Sequence, residues 1–198
     1  MLVRCIGARR FCQFTAIHCK SVMSLNLHAM QRVIYTESHD EVVNGKSRVP
    51  EEIWPGHADR WFSRKRSTLG ATMVFTAPGI PMIFQGQEFL EDGFFQDTDP
   101  LNWGRLRTFG GIHLLYRDLI RLRRNWFNHT RGLRGQHINV HHVNNAEEVI
   151  AFHRWEHGGP GDDVVVVANF AIVVMTAMPS AGHEQVNGAR GSTVTGKL

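Results

Sequence analysis

The sequence predicts an α/β section followed by a small all-β section. Residues 31–36 (QRVIYT) and 80–84 (IPMIF) have the β-branched and apolar character of short strands. The apolar spacing of residues 58–77 between them predicts a helix. Beyond residue 130 the pattern changes to hairpin-like strands separated by turn residues. We therefore place a boundary near residue 130, with a β-α-β unit before it and an antiparallel β domain after it.

Each predicted element ends where turn-forming residues appear. The first strand runs into a polar loop of about 20 residues, from Glu37 to Gly56, and loops of that length are often functional. Pro78 and Gly79 end the first helix, and a second helix is predicted over residues 110–124. The fully apolar run at 80–84 suits a strand buried on both faces, as in a parallel sheet. The later strands are predicted at residues 138–143, 149–155 and 164–170.

Composition places the chain among globular proteins, because 42% of its residues are hydrophobic and its net charge is only +4. Its basic residues cluster at 64–66 and 121–124, inside helical patterns, which predicts solvated helix faces and no nucleic-acid surface. No stretch of about 20 apolar residues is present, so no membrane span is predicted. Cys5, Cys12 and Cys19 lack metal-site spacing and are interpreted as free thiols in a reducing, cytoplasmic compartment.

Polar side chains follow both strands of the predicted β-α-β unit. Residues 37–41 (ESHDE) come directly after the first strand, and residues 85–88 (QGQE) come after the second. Strand ends in α/β proteins are where catalytic groups are usually placed. The alternative is that these residues only mark the exit of each strand into a loop. Trp54 and Trp61 are aromatic candidates for stacking on a ligand, although the helical spacing of Trp61 favours a core position.

Three motifs in order carry a resemblance to a known family. They are VIYTESHDEVVNGK at 33–46, PGIPMIFQGQEF at 78–89 and DPLNW at 99–103. The set resembles glycoside hydrolase family 13, the α-amylase clan, and within it most closely the 1,4-α-glucan branching enzymes. In that family the HDEV-like segment follows the seventh strand of a (β/α)8 barrel and the GQEF-like segment follows the eighth. Asn102 stands where the family usually has aspartate.

The resemblance covers about residues 30 to 170 and implies the domain organisation. Residues 31–130 would be the last strands and helices of an incomplete (β/α)8 barrel, and residues 131–170 part of a small antiparallel β-sandwich domain. Residues 1–30 match no part of the family pattern and are left unassigned. Residues 171–198 contain no aromatic residue where the family has aromatic-rich strands. Our hypothesis is that this tail is read in a shifted frame, and the alternative is a divergent tail.

The resemblance also implies the roles of individual residues. Asp40 matches the family's third catalytic carboxylate, which holds the sugar hydroxyls and stabilises the oxocarbenium-like transition state. His39 matches a histidine that hydrogen-bonds the same sugar. Glu37, Glu41 and Gln87 are candidates for substrate contact. The alternatives are that the two glutamates support the loop and that Gln87 braces the barrel mouth. We predict an α-glucan as partner (glycogen, starch or a malto-oligosaccharide), with no metal and no cofactor.

The family's nucleophilic aspartate and acid glutamate follow the fourth and fifth barrel strands, and a retaining mechanism needs both. Residues 1–36 contain no aspartate or glutamate. We therefore expect this chain to be an inactive fragment whose parent is a branching enzyme of glycogen or starch metabolism. The alternatives are an α-amylase-type hydrolase of α-1,4-glucans and a non-catalytic glucan-binding protein.

Overall fold

The computed structural model of the chain describes residues 4–5, 31–43 and 46–171. The predictions for the tail beyond residue 171, and for most of residues 1–30, lie outside these ranges. The described elements, in chain order, are β1 (Arg4–Cys5), β2 (Val33–Tyr35), α1 (His39–Val42), α2 (Val49–Ile53), α3 (Trp61–Thr76), β3 (Ile80–Pro81), a 3₁₀ turn (Gln87–Phe89), α4 (Gly104–Thr108), α5 (Gly110–Arg123), a second 3₁₀ turn (Arg131–Leu133), β4 (His137–Asn144), β5 (Val149–Trp155) and β6 (Val164–Asn169).

The predicted β-α-β unit is confirmed. β2 and β3 pair in parallel, with Val33 opposite Ile80 and Ile34 opposite Pro81, and α3 connects them. β1 pairs antiparallel on the other side of β2, so the sheet order is β1-β2-β3. Because β2 and β3 are parallel, their carboxyl ends meet at the same edge of this sheet. The polar segments that follow the two strands therefore start side by side.

Two details of this unit differ from the prediction. The polar loop from Glu37 to Gly56 contains the short helices α1 and α2, and Pro50 with the acidic residues that follow it favours the start of α2. The prediction that residues 80–84 form a strand buried on both faces is wrong. Only Ile80 and Pro81 are in the strand, and Ile80 is exposed. Among the described residues β3 pairs only with β2, so it is an edge strand, where proline is tolerated.

The two predicted long helices are confirmed. α3 ends at Thr76, just before Pro78, as the sequence predicts. It buries Met73, Val74 and Phe75. α5 matches its predicted range closely. The expected core position of Trp61 is wrong, because this side chain lies in the first turn of α3, beyond the packed part of the helix, and is 60% exposed.

The three later strands are confirmed and form one antiparallel sheet in the order β4-β5-β6. One face of this sheet packs on β2 and α3, so the two sections share a hydrophobic core. The boundary near residue 130 stays a prediction. The buried core residues are Ile34, Met73, Val74, Ala77, Ile138, Ile150, Phe152, Val166, Ala168 and Phe170.

Two arginines, the buried Arg154 and the half-buried Arg123, join the sections where α3 ends. Arg154 on β5 donates from Nη1 to the Thr76 carbonyl (2.8 Å) and from Nη2 to the Gly135 carbonyl (2.7 Å). Arg123 on α5 donates to the Ala77 carbonyl (2.7 Å). The bonds to the Thr76 and Ala77 carbonyls satisfy groups left free at the end of α3. Burial lowers the pKa of Arg123 to about 10, and burial together with repulsion from Arg123 lowers the pKa of Arg154 to about 9.

The turn between β5 and β6 is organised by Asp162. Its carboxylate is buried and accepts hydrogen bonds from the backbone N–H groups of Glu156 (3.0 Å), His157 (2.6 Å) and Gly158. Burial alone would raise the pKa of Asp162, but these backbone bonds outweigh it and hold the pKa below its ordinary value. The ionised carboxylate therefore stabilises the folded turn.

Replacing Asp162 with alanine is expected to lower the free energy of unfolding by about 1–3 kcal/mol, because the backbone N–H groups of Glu156, His157 and Gly158 lose their shared acceptor. Asp163→Ala is the neighbouring control and should cost less, since its carboxylate is more exposed. The wild-type advantage over Asp162→Ala should be present above the ordinary carboxyl range and be lost as pH falls through the lowered pKa. Urea unfolding followed by circular dichroism measures both effects. Equal losses in the two variants would contradict this account.

Within the described ranges, every helix is too short or too polar to cross a lipid bilayer.

Candidate active site

The candidate site lies where β2 and β3 end. α1 begins directly after β2, and the segment at residues 85–88 follows β3. The parallel pairing of the two strands brings both exits to the same edge of the sheet. In α/β proteins this edge is where substrate groups are held. The residues that the sequence singled out therefore lie at this edge of the sheet.

His39 and Asp40 form an exposed pair at the start of α1. His39 Nε2 lies 3.0 Å from Asp40 Oδ1, and the two side chains are 66% and 80% exposed. Lys46 Nζ donates to the backbone carbonyl of Asp40 (3.1 Å), which ties the following loop to this turn. Ser38 precedes the helix but makes no side-chain cap. The carboxylate of Asp40 can therefore accept hydrogen bonds from a ligand in solvent.

Glu37 lies inside the protein, beneath this pair. Its Oε1 accepts from the Val49 backbone N–H (2.8 Å), and its Oε2 accepts from Arg48 Nη1 (3.1 Å). Burial raises the pKa of Glu37, an effect opposed by the Arg48 cation and by the Val49 hydrogen bond. Both carboxylate oxygens are thus used by protein groups. The structure places Glu37 under the loop, away from the surface that Asp40 occupies.

Arg48 was not among the residues that the sequence singled out. It is fully buried, and besides Glu37 it donates to the Gln85 carbonyl (2.8 Å) and the Gly93 carbonyl (3.0 Å). Its guanidinium also lies 4.8 Å from the centre of the Phe84 ring. Arg48 therefore joins the loop after β2 to the segment after β3. No local pattern in the sequence marks this role, because the partners lie 37 and 45 residues away.

Gln87 connects the two strand exits a second time. Its amide nitrogen donates to the Thr36 hydroxyl (2.5 Å), and its amide oxygen accepts from the Phe84 backbone N–H (2.7 Å). The side chain is buried, so its amide is directed into the protein. Glu41 is half-buried on α1. The substrate contacts predicted for Glu37, Glu41 and Gln87 stay predictions, and the geometry gives Glu37 and Gln87 clear partners inside the protein.

The third motif lies against the segment after β3. The buried carboxylate of Glu91 accepts from the Asn102 backbone N–H (2.8 Å), and the Asn102 side chain accepts from the Gly104 N–H (3.1 Å), where α4 begins. Arg105 then pairs with Asp92 (2.7 Å). These contacts hold the DPLNW segment against residues 85–93.

The chain is similar to curated proteins and to a solved structure. No family model matches the chain. It is 33% identical over 164 residues to the 1,4-alpha-glucan branching enzyme GlgB of Prochlorococcus marinus, and 32% identical over 163 residues to that of Dechloromonas aromatica. These alignments cover 79% and 73% of this chain but only 21% and 24% of the relatives. The chain thus spans about a quarter or less of the curated relatives it matches.

Among solved structures, the chain is similar to a 1.4 Å crystal structure of a protein assigned as an alpha amylase from Salmonella typhimurium. The TM-score is 0.51 at 17% sequence identity, and the match covers 75% of this chain and 31% of the other. This likeness shows a shared α-amylase-like fold. The branching-enzyme relatives confirm the resemblance of the chain to a C-terminal part of a glycoside hydrolase family 13 branching enzyme.

Proposed function

We propose that this chain forms one side of the active site of a 1,4-α-glucan branching enzyme, with Asp40 as the carboxylate that stabilises the transition state. The supporting observation is the exposed His39–Asp40 pair at the end of β2, above the buried Glu37–Arg48 pair. This pair belongs to a chain that is about one-third identical to branching enzymes over the aligned residues. The substrate is an α-glucan, in keeping with the names of those relatives.

Asp40 acts on the sugar next to the bond that is cleaved. Its ionised carboxylate accepts hydrogen bonds from ring hydroxyls, and these bonds strengthen as positive charge develops on the ring. The interaction therefore favours the transition state over the bound substrate. His39, with its Nε2 3.0 Å from Asp40 Oδ1, orients this carboxylate and reaches the same sugar.

Glu37 and Gln87 act as positioning residues in this proposal. Glu37 and Arg48 fix the loop that carries Asp40, while Gln87 holds the exit of β3 against the end of β2. A misplacement of about 1 Å is enough to slow an enzyme substantially, so such support affects the chemistry without touching substrate. Glu41, half-buried on α1, is kept as a candidate for a direct sugar contact on the basis of the resemblance.

The finer architecture follows from the same proposal. β2 and β3 are the last two strands of a (β/α)8 barrel, α3 and α5 are helices of its outer layer, and the β4-β5-β6 sheet is one layer of a β-sandwich. The nucleophilic and acid carboxylates come from a part of the enzyme that contributes the other strands. Breakage and transfer of the glucan chain then require both parts.

Gel retardation of the full chain in amylopectin tests this proposal. We expect retardation by the glucan but no change in the iodine colour of amylose, because the catalytic pair is missing from residues 1–36. Asp40→Asn should weaken the retardation. Asp59→Asn should not, although Asp59 is also an exposed aspartate (64%) beside a basic side chain. Amylose turnover by the chain alone, or equal effects of the two variants, would contradict the proposal.

A further inference from the structure

A small groove lies between the first half of α3 and the segment where α4 meets α5. It encloses about 200 Å³, room for about one sugar ring at a partly open surface. Its walls are mainly apolar, from Phe109, Ile112 and the ring of Trp61, and Arg64 and Lys65 also line it. None of these residues takes part in the site around Asp40.

The groove offers an exposed aromatic face and hydrogen-bond donors together. Trp61 is 60% exposed, and Lys65 Nζ lies 5.9 Å from the centre of its ring. Arg64 lies 6.0 Å from the centre of the Phe109 ring. Within the described part of the chain, neither the Arg64 guanidinium nor the Lys65 ammonium group is within 4.0 Å of a carboxylate. The groove therefore has donors that an oxygen-rich ligand would satisfy.

The topology places this groove at the same end of the fold as Asp40. α3 leaves the loop that follows β2 and returns the chain to the start of β3. The first turn of α3, with Trp61, is therefore near the carboxyl ends of the strands, and Thr76 is near their amino ends. A polymer bound at the strand ends can continue outward over the first turn of α3.

We infer that this groove, flanked by Trp61, binds an α-glucan chain as a second contact outside the Asp40 site. The inference rests on the proposed function for the identity of the ligand. A glucose ring stacks its C–H face on an exposed indole, and its hydroxyl oxygens accept hydrogen bonds from Arg64 and Lys65. A contact here holds a long glucan without taking part in the chemistry.

The test uses the full chain and two matched tryptophan variants, in gels that contain amylopectin. Trp61 and Trp126 are both 60% exposed, and each lies near a basic side chain, Lys65 at 5.9 Å and Arg124 at 5.8 Å from the ring centre. Trp61→Ala should raise the dissociation constant about fivefold or more, the scale of one lost aromatic contact. Trp126→Ala should change it by less than about twofold. Circular dichroism verifies that both variants fold as the wild type does.

The outcomes separate this inference from the proposed function. If Trp61→Ala and Trp126→Ala bind alike, or if the wild-type chain is not retarded at all, the groove is not a glucan site. If Trp61→Ala weakens binding while Asp40→Asn does not, the result supports the groove as a glucan site and contradicts the proposed role of Asp40. Retardation that disappears at about 0.5 M salt would mean that charge attraction, and not stacking and neutral hydrogen bonding, holds the glucan, and it would overturn the inference, because stacking and neutral hydrogen bonds are screened little.

Discussion

Replacing Arg48 with methionine is expected to lower the free energy of unfolding by about 3–5 kcal/mol, the usual cost of removing one partner from a buried ion pair. The Glu37 carboxylate would stay buried without its cation. The carbonyls of Gln85 and Gly93 would also lose a donor. Methionine keeps much of the volume of the arginine stem, so the loss reports on charge and hydrogen bonding more than on an empty cavity. Urea unfolding followed by circular dichroism measures this loss.

The double variant Arg48→Met with Glu37→Gln is the matched control. It removes both charges, and the glutamine can still accept from the Val49 N–H, as Glu37 does. We expect it to recover part of the stability that the single variant loses, because no buried carboxylate remains unpaired. A double variant that is less stable than Arg48→Met alone would contradict the account of this pair.

The same pair predicts a dependence on pH. Burial already raises the pKa of Glu37, and loss of Arg48 removes the cation that opposes this rise. A carboxyl with a raised folded pKa favours the folded state below its unfolded pKa, and this advantage is lost as pH rises through the folded pKa. Arg48→Met should therefore lose more stability at neutral pH than at pH values near the ordinary carboxyl range. The double variant should lack this difference, and a pH-independent single variant would contradict the prediction.

Local patterns in the sequence predict most of the secondary structure. They fail where contacts between residues far apart in the sequence determine the burial or the type of an element. The apolar spacing that ends before Pro78 predicts α3, and the turn residues after residue 130 separate β4, β5 and β6. The burial of the run at 80–84 was predicted wrongly, since exposure of a strand depends on its neighbours in the sheet. The helices α1, α2 and α4 are too short to produce a periodic pattern.

The candidate site shows the same limit at the level of single residues. Glu37 and Asp40 stand three positions apart in one polar run, and the sequence treats both as candidates for substrate contact. In the structure Glu37 is buried and Asp40 is exposed. The difference comes from Arg48, whose contacts with Gln85 and Gly93 form only when the two strand exits come together. A cation eleven positions from a carboxylate has no spacing that a local pattern would reveal.

Asp40→Asn is expected to reduce branching by at least about 100-fold in an assembled active site, comparable to the loss of one group that stabilises a transition state. The effect should be larger on kcat than on KM, because the hydrogen bonds of this carboxylate to the bound sugar strengthen as charge develops in the transition state. KM should also rise, since the same hydrogen bonds contribute to binding of the glucan. Asparagine keeps the size of the side chain and removes the charge.

The most direct test is a hybrid in which residues 31–171 replace the matching segment of the Prochlorococcus marinus branching enzyme. Its branching of amylose is followed by the iodine spectrum, for the hybrid itself and for its Asp40→Asn and Asp59→Asn variants. Circular dichroism and unfolding verify that all three proteins fold alike. If Asp40 is the carboxylate that stabilises the transition state, the hybrid branches amylose, Asp59→Asn stays within about twofold, and Asp40→Asn is nearly inactive. A folded Asp40→Asn hybrid that branches as fast as its parent would contradict the central claim.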